Sequence, residues 1–196
     1  MLVVYNTLPR YNMEQNIKIL GFAGSLRAQS FNRGILNAAA QLLPEHVALE
    51  IYELNDIPVF NQDQENNIPP AVTEFKNKIK SADAILIATP EYNYSVPGVL
   101  KNAIDWASRP YGDNSFEGKP VAIMSASTGM LGGARAQYHL RQSFVFLNVQ
   151  TVNRPEVMVP FARDKFQDGF LTDETSRKKI AELVAALVNL ARILKK

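Results

Sequence analysis

The chain has 196 residues, 46% of them hydrophobic and 20% charged, which fits one globular domain. Its formal net charge of +2 is too small to favour a nucleic-acid-binding protein. The sequence contains no cysteine, which excludes disulfides, thiolate metal sites and cysteine nucleophiles. We therefore expect neither a metal site nor a nucleic-acid partner.

Residues 1–15 are expected to form a poorly ordered extension, or a strand of their own, ahead of a single domain at 16–196. This segment lacks the basic region and the long apolar run of a signal peptide. No stretch is long and apolar enough to span a membrane, because even residues 180–194 are interrupted by Glu182, Asn189 and Arg192. We therefore expect no membrane insertion and a cytoplasmic location.

The first half of the chain alternates apolar runs with helical patterns. It predicts a strand at 17–23, a helix at 31–43, a strand at 47–54, a helix at 71–80 and a wholly apolar strand at 84–88. Pro44 stops the first helix, because proline cannot continue the backbone hydrogen bonds.

The second half continues the alternation. It predicts a helix at 98–109, a strand at 120–125, a helix at 132–146, an interrupted fifth strand at 149–159 and a long amphipathic helix at 172–194. Strands that alternate with helices form a mostly parallel sheet that is covered on both faces. Because no linker or repeat divides the pattern, the sequence predicts one α/β domain.

Three loops after predicted strands are rich in glycine and small polar residues. They lie at 21–34, 89–102 and 125–133. Ligands of open parallel sheets bind outside the carboxyl ends of the strands, where the strand order reverses. We therefore expect the three loops to form one crevice.

The first loop has the sequence GFAGSLRAQSFNRG and leads into a predicted helix. Ser25, Ser30 and Asn32 would add side-chain donors to the unpaired N–H groups at the start of that helix, and Arg27 would add a positive charge. The pattern indicates a phosphate site, but a plain helix cap with Ser30 as the N-cap explains it equally well. It matches neither a Walker loop nor the dinucleotide fingerprint.

The second and third loops offer surfaces for a flat ligand. The second, TPEYNYSVPGVLKN, has two tyrosines as walls and backbone groups for the edge of a planar heterocycle. The third, SASTGMLGG, has three glycines that allow a ligand to approach the backbone closely. A tyrosine-rich surface turn and a flexible connection are the respective alternatives.

The chain resembles the NAD(P)H-dependent FMN reductases of flavodoxin-like fold, especially the bacterial branch of chromate and quinone reductases. Three segments carry the resemblance: GSLRAQSFN at 24–32, TPEYNYSVPGVLKNAIDWASRP at 89–110 and GGARAQYHLRQ at 132–142. The resemblance implies a three-layer sandwich whose five-stranded parallel sheet has the order 2-1-3-4-5. It also implies FMN as the cofactor and NAD(P)H as the electron donor.

The resemblance further assigns roles to individual residues. Four residues of the first loop would hold the phosphate: Ser25, Arg27, Ser30 and Asn32. Two groups would line the isoalloxazine ring: Pro90, Glu91, Tyr92 and Asn93 on one side, and Ser125, Ser127, Thr128 and Gly129 on the other. The family forms homodimers that often pair into homotetramers. Three residues match a hydrogen-bonded network between subunits, although a solvated helix face is the alternative: Arg135, Tyr138 and Glu156.

The implied activity is a two-electron transfer from NAD(P)H, by a ping-pong mechanism, to a quinone, an azo compound, a free flavin or chromate. Hydride transfer needs no protein acid or base, so we assign Glu91 no proton-transfer role and interpret His46 and His139 as structural. Two alternatives are a flavodoxin-type electron carrier and a flavin-binding regulatory module without turnover. The slightly basic charge disfavours the carrier, because such carriers are strongly acidic.

Overall fold

The computed structural model describes residues 15–195. The prediction for residues 1–15 therefore lies outside the described residues, except at Gln15, which belongs to no helix or strand. The strands of the described part are β1 (Ile17–Ala23), β2 (Val47–Tyr52), β3 (Ala84–Ala88), β4 (Pro120–Ala126), β5 (Gln150–Thr151), β6 (Val157–Val159), β7 (Phe166–Gln167) and β8 (Phe170–Leu171). The α-helices are α1 (Phe31–Gln41), α2 (Pro70–Ser81), α3 (Gly98–Ala107), α4 (Ala134–Phe146) and α5 (Glu174–Leu194).

The main sheet is parallel and has the strand order β2-β1-β3-β4-β5, which confirms the predicted order 2-1-3-4-5. The fifth strand is interrupted, as predicted: β5 pairs with the start of β4, and β6 pairs with its end. All five residues of the central strand β3 are buried, because a parallel sheet is covered on both faces.

Helices cover both faces of the sheet, so the fold is the expected three-layer sandwich. Strand residues alternate between two cores: Ile19 and Leu86 belong to the core under α1 and α5, whereas Leu20 and Ile85 belong to the core under α2, α3 and α4. Because Leu86 is fully buried, truncation to alanine would cost about 2–5 kcal/mol of unfolding free energy.

Several element ends differ from the predictions by one or two residues. The helix α4 begins at Ala134 and not at residue 132, because Gly132 and Gly133 have φ values of 59° and 91°, outside the right-handed helical region. The helix α5 begins at Glu174 and not at residue 172, because Asp173 is its N-cap and accepts a hydrogen bond of 2.8 Å from the backbone N–H of Ser176.

The sequence analysis missed the short hairpin of β7 and β8. Its turn is Asp168-Gly169, with φ values of 49° and 83°, and such an Asp-Gly pair is a strong signal for a two-residue hairpin. The ring of Phe166 packs on that of Phe31 at 4.9 Å between ring centroids, so the hairpin covers the start of α1.

Within residues 15–195, no helix combines the length and the apolar character that a membrane crossing requires. The same part of the chain contains no group of three or more His, Asp or Glu side chains arranged to hold a metal ion.

Candidate functional site

Four loops lie at the carboxyl edge of the sheet. Three are the predicted loops, which follow β1, β3 and β4, and the fourth follows β6 at residues 160–165. Backbone hydrogen bonds join the third and fourth loops, from the N–H of Ser127 to the carbonyl of Val159 at 3.0 Å and from the N–H of Ala162 to the carbonyl of Ser127 at 3.0 Å. The rule that ligands bind outside the carboxyl ends of the strands therefore also applies to β6, whose loop the sequence analysis did not use.

The first loop combines helix capping with free hydrogen-bonding capacity. The hydroxyl of Ser30 accepts a hydrogen bond of 3.2 Å from the N–H of Asn32, which confirms that Ser30 is the N-cap of α1. Ser25 is buried, and its hydroxyl lies 3.4 Å from both the backbone N of Arg27 and the hydroxyl of Tyr92. Arg27 itself is exposed, and its guanidinium has no hydrogen bond or ion pair with another described residue.

This donor set fits the phosphate group of FMN. The start of α1 carries partial positive charge and unpaired N–H groups, which favour an anion. Two serine hydroxyls and one unpaired guanidinium next to it can donate to several phosphate oxygens at once. The capping interpretation and the phosphate interpretation are therefore compatible, because Ser30 uses only its acceptor capacity in the cap.

Asn32 has a different role in the structure from the other three residues of the predicted phosphate group. Its amide nitrogen donates to the carbonyl of Ala126 at 2.9 Å, and its amide oxygen accepts from the N–H of Ala126 at 2.9 Å. Asn32 is also buried. It thus joins the first loop to the end of β4, and its contact with the phosphate stays a prediction.

The second loop contains a tight turn at residues 92–95. The backbone N–H of Tyr92 donates to the carbonyl of Ser95 at 3.1 Å, and the N–H of Ser95 donates to the carbonyl of Tyr92 at 3.0 Å. Both central residues are left-handed, with φ of 50° at Asn93 and 67° at Tyr94. Tyr92 and Tyr94 are 45% and 68% exposed, so their rings are available as walls beside the turn.

Glu91 precedes this turn and is fixed by Arg135. Its carboxylate accepts a hydrogen bond of 3.0 Å from the backbone N–H of Arg135 and one of 2.5 Å from its Nε. The side-chain bond to Glu91 raises the pKa of Arg135. Because the N-cap of α4 is Gly133, which has no side chain, Glu91 satisfies a helix N–H group that the cap leaves unpaired.

Ser125 supports the third loop from inside. Its hydroxyl donates to the carbonyl of Gly132 at 2.6 Å and accepts from Nε2 of Gln137 at 2.7 Å, and the residue is fully buried. A side chain at Gly133 would place its Cβ 2.8 Å from the Cβ of Ser125, and the φ of 91° there also requires glycine. Ser125 therefore shapes the loop, whereas Ser127, Thr128 and Gly129 are partly or fully exposed.

A cavity of about 560 Å³ joins the second and third loops. Its lining includes predicted residues from both loops and two residues that the sequence analysis missed, Met130 and Leu131. The sequence analysis also missed Phe161. This residue is 51% exposed, and its backbone N–H donates to the carbonyl of Gly129 at 3.4 Å. Phe161 comes just after β6, so the rule about strand ends would have found it.

The three predicted subunit-contact residues do not form one network within a single chain. The hydroxyl of Tyr138 donates to Glu156 at 3.4 Å, and this hydrogen bond raises the pKa of Tyr138. Arg135 instead binds Glu91, and its guanidinium lies 3.5 Å from the centroid of the Tyr94 ring. The contact of these residues with a second subunit stays a prediction.

The parallel sheet of order 2-1-3-4-5, with a phosphate-type loop after β1 and a cavity between the loops that follow β3 and β4, defines a mononucleotide-binding protein of flavodoxin-like fold. The family model of the NADPH-dependent FMN reductases matches residues 17–164, and the chain belongs to this family. It is an oxidoreductase that uses FMN as its cofactor and NAD(P)H as its electron donor.

Similar proteins agree with this assignment. The chain is 50% identical over 177 residues to an NAD(P)H-dependent FMN reductase of Pseudomonas aeruginosa, which covers 89% of this chain and 95% of the relative. It is 45% identical over 187 residues to an NAD(P)H:quinone oxidoreductase of Solanum tuberosum, with 91% and 95% covered. The solved structure of the flavoenzyme NAD(P)H:(acceptor) oxidoreductase FerB from Paracoccus denitrificans has a TM-score of 0.83 and 34% identity, and the match covers 90% of this chain and 98% of FerB.

Proposed function

We propose that this protein transfers two electrons from NAD(P)H to quinones, with azo compounds, free flavins and chromate as further acceptors, by a ping-pong mechanism. The observation that carries the proposal is the cavity of about 560 Å³ between the second and third loops. Its aromatic and apolar walls suit a planar acceptor. The relatives named quinone reductase, such as one from Pseudomonas putida at 44% identity over 165 residues, support the acceptor class.

Different loops bind the phosphate and the ring of FMN. Bound FMN would supply the ring that accepts a hydride and passes on two electrons. Ser25, Arg27 and Ser30 hold its phosphate, and the backbone of the 92–95 turn and of residues 127–129 lines its ring. The open side of the cavity receives the nicotinamide and the acceptor in turn. Because both occupy the same space, NAD(P)⁺ leaves before the acceptor enters, which is the physical basis of the ping-pong order.

The charged side chains of the cavity hold the loops in position and do not transfer protons. Arg135, the cation in the cavity lining, is paired with Glu91, whose side chain is only 8% exposed. The pair therefore adds little net charge to the cavity. Protons for a reduced quinone come from solvent through the open side of the cavity.

We also propose that the protein acts in the cytoplasm as a homodimer or homotetramer. NAD(P)H, its electron donor, is an intracellular reductant, which supports the location. Exposed apolar side chains, among them Val145 and Phe146 on α4 at 82% and 80%, support self-association. Sedimentation equilibrium at several protein concentrations tests the second point, and a monomer at all concentrations would contradict it.

Anaerobic reduction of the holoprotein tests the proposed activity. Mixing with NADH or NADPH in a stopped-flow instrument should bleach the oxidised flavin absorption within one turnover, and a benzoquinone added afterwards should restore it. Steady-state rates at varied concentrations of both substrates should give parallel double-reciprocal lines. Intersecting lines would contradict the ping-pong order.

The same experiment separates the alternatives. A flavin-binding regulatory module would retain FMN but show no bleaching by either nicotinamide. An electron carrier would bleach only in the presence of a partner reductase, and would show no steady-state oxidation of NAD(P)H by itself. A panel of one quinone, one azo dye, free FMN and chromate then ranks the acceptors, with the quinone expected to react fastest.

A further inference from the structure

The 92–95 turn has a backbone conformation that its sequence does not favour. A turn with φ above zero at both central residues prefers Asn-Gly, because glycine has no Cβ. Here the central pair is Asn93 and Tyr94, with φ of 50° and 67°. Asparagine tolerates this region, but tyrosine costs about 1–2 kcal/mol there. Contacts outside the turn must therefore stabilise it.

The helix α4 supplies these contacts at three points. Before the turn, Arg135 donates two hydrogen bonds to Glu91. In the middle of the turn, the guanidinium of Arg135 stacks on the ring of Tyr94 at 3.5 Å. At the end of the turn, the hydroxyl of Ser95 lies 2.9 Å from Nδ1 of His139, within hydrogen-bond distance.

Both clamping residues stand on one rigid face. Arg135 and His139 are four residues apart in α4, so their side chains lie one above the other on the helix. The opposite face of α4 is anchored by Leu140 and Phe144, which are fully buried. The pair therefore has a fixed position relative to the sheet, and we call it the α4 clamp.

We propose that His139 is a positioning residue for the flavin ring, and that with Arg135 it holds the 92–95 turn in the left-handed form whose backbone groups face FMN. The inference rests on the proposed function, because it assumes that this turn lines the ring. It changes the sequence-based interpretation of His139, which assigned it a structural role without a partner. Through Ser95, His139 acts on the ring site without touching it.

The two histidines of the chain differ in this respect. His46 lies before β2, and its carbonyl accepts a hydrogen bond of 2.9 Å from the N–H of Ile17 at the start of β1. It is therefore at the opposite edge of the sheet, whereas His139 contacts the loop that follows β3.

Three variants of α4 test the clamp. His139→Ala removes the bond to Ser95. His139→Asn keeps it, since an asparagine amide reaches nearly the position of Nδ1. Gln142→Ala is the matched control, because Gln142 is exposed on the same helix and its side chain has no hydrogen bond to another described residue. We expect His139→Ala to weaken FMN binding about three- to tenfold, the range for one lost hydrogen bond, and His139→Asn to restore most of it.

The readouts include quantities that a general loss of stability would not move. In His139→Ala the visible circular dichroism and the midpoint potential of the bound flavin should shift, and kcat should fall more than KM rises. Amide hydrogen exchange at residues 92–95 should become faster in His139→Ala and stay unchanged in Gln142→Ala. If His139→Ala and Gln142→Ala give the same circular dichroism, midpoint potential, kinetic constants and amide exchange, the proposal is overturned.

A double variant, in which Tyr94→Gly is combined with His139→Ala, tests the clamp independently of the single variant His139→Ala. In a Tyr94→Gly background the turn adopts its left-handed form without strain, so the effect of His139→Ala on FMN affinity should shrink to less than about twofold. An undiminished effect would contradict the clamp. If the wild-type protein binds no FMN, the proposed function fails, whereas amide exchange at 92–95 still reports whether the clamp holds the turn.

Discussion

The two edges of the sheet use polar groups in opposite ways. At the amino edge, ammonium groups are bonded to backbone carbonyls and carboxylates. Nζ of Lys119 donates to the carbonyls of Lys80 and Ala82 at 2.8 and 2.6 Å, and Nζ of Lys195 lies 2.9 Å from the carboxylate of Asp83. These contacts close the edge, because each donor is already used within the chain.

At the carboxyl edge, donors and rings stay available. The guanidinium of Arg27 has no partner among the described residues, Tyr92 and Tyr94 are exposed, and two consecutive residues of one turn are left-handed. Unpaired donors and exposed rings therefore distinguish the carboxyl edge, where we propose that FMN binds, from the closed amino edge, which contributes stability. Changes at the amino edge should therefore affect unfolding, and changes at the unpaired donors of the carboxyl edge should affect flavin binding.

The largest expected effect is a loss of stability when Lys76, a buried lysine, is replaced. Its side chain is only 4% exposed, and its Nζ donates to the carbonyls of Arg109 and Asp113 and lies 3.1 Å from the carboxylate of Asp113. Burial lowers the pKa of Lys76. Lys76→Met would leave both carbonyls without this donor, and we expect a loss of about 3 kcal/mol in the free energy of unfolding, measured in urea.

Lys80→Met is the matched control for this prediction. Lys80 also pairs with Asp113, at 2.5 Å, but its side chain is 46% exposed, so we expect a loss below about 1 kcal/mol. FMN affinity should be unchanged in both variants. Equal losses in the two lysine variants, or weaker FMN binding in Lys76→Met, would break the division between the edges.

The second largest effect is expected on FMN affinity, when Arg27 at the carboxyl edge is replaced. Arg27→Ala removes a charged donor from the phosphate site, and we expect FMN affinity to fall about thirtyfold, or about 2 kcal/mol, with the unfolding free energy of the apoprotein unchanged. Riboflavin lacks the phosphate, so its affinity should not change. Fluorescence titration measures both affinities.

Arg33→Ala, in the first turn of α1, serves as the control. Arg33 already pairs with Glu53, at 2.6 Å, so its loss should leave FMN affinity within about twofold of the wild type. A parallel loss of riboflavin and FMN affinity in Arg27→Ala would place Arg27 at the ring and not at the phosphate.

The third prediction separates stability from binding at the carboxyl edge itself. Hydrogen bonding from the side chain and the backbone N–H of Ser176 lowers the pKa of Asp173, the N-cap of α5, and Lys165 adds to the effect. Asp173→Ala should cost about 1 kcal/mol at pH 7, without a change in FMN affinity.

The pH dependence of this cost has a definite sign. The pKa of Asp173 is lower in the folded than in the unfolded chain, so its contribution is complete above the unfolded pKa of about 3.9 and is lost as pH falls through the folded value. The difference between wild type and Asp173→Ala should therefore shrink below about pH 4 in urea unfolding. A difference that grows on acidification would contradict the assignment.

The smallest effect is expected at Tyr138. The bond of its hydroxyl to Glu156 is long, at 3.4 Å, and both side chains are exposed. Tyr138→Phe should change the unfolding free energy by less than about 0.5 kcal/mol. If the residue lies between subunits, as the resemblance implies, sedimentation should nevertheless show weaker self-association. Unchanged association in this variant would count against that contact.

The sequence was sufficient to predict the fold because its signals are local and consistent. The apolar run of β3, the helical spacing of α2 and the interrupted fifth strand each match the structure. The element ends were less predictable, because caps such as Asp173 and left-handed glycines such as Gly133 depend on backbone geometry and not on hydrophobic period.

The site was predictable as loops but not as contacts. The rule about strand ends identified three of the four loops, and Ser30 was recognised as a cap. The bond from Arg135 to Glu91 and the pair of Asn32 with Ala126 join residues that are 44 and 94 positions apart, so no local pattern could indicate them. The same holds for His139 and Ser95, which meet only after α4 packs beside the β3 loop.

A crystal structure of the protein with FMN tests the central claim most directly. The account predicts the phosphate within hydrogen-bond distance of Ser25, Arg27 and Ser30, and the ring against the 92–95 turn. A second cavity, of about 610 Å³, lies between α3 and α4 and includes Ile104 and Phe146 in its lining. Flavin bound in that second cavity, with the β1 loop empty, would contradict the account.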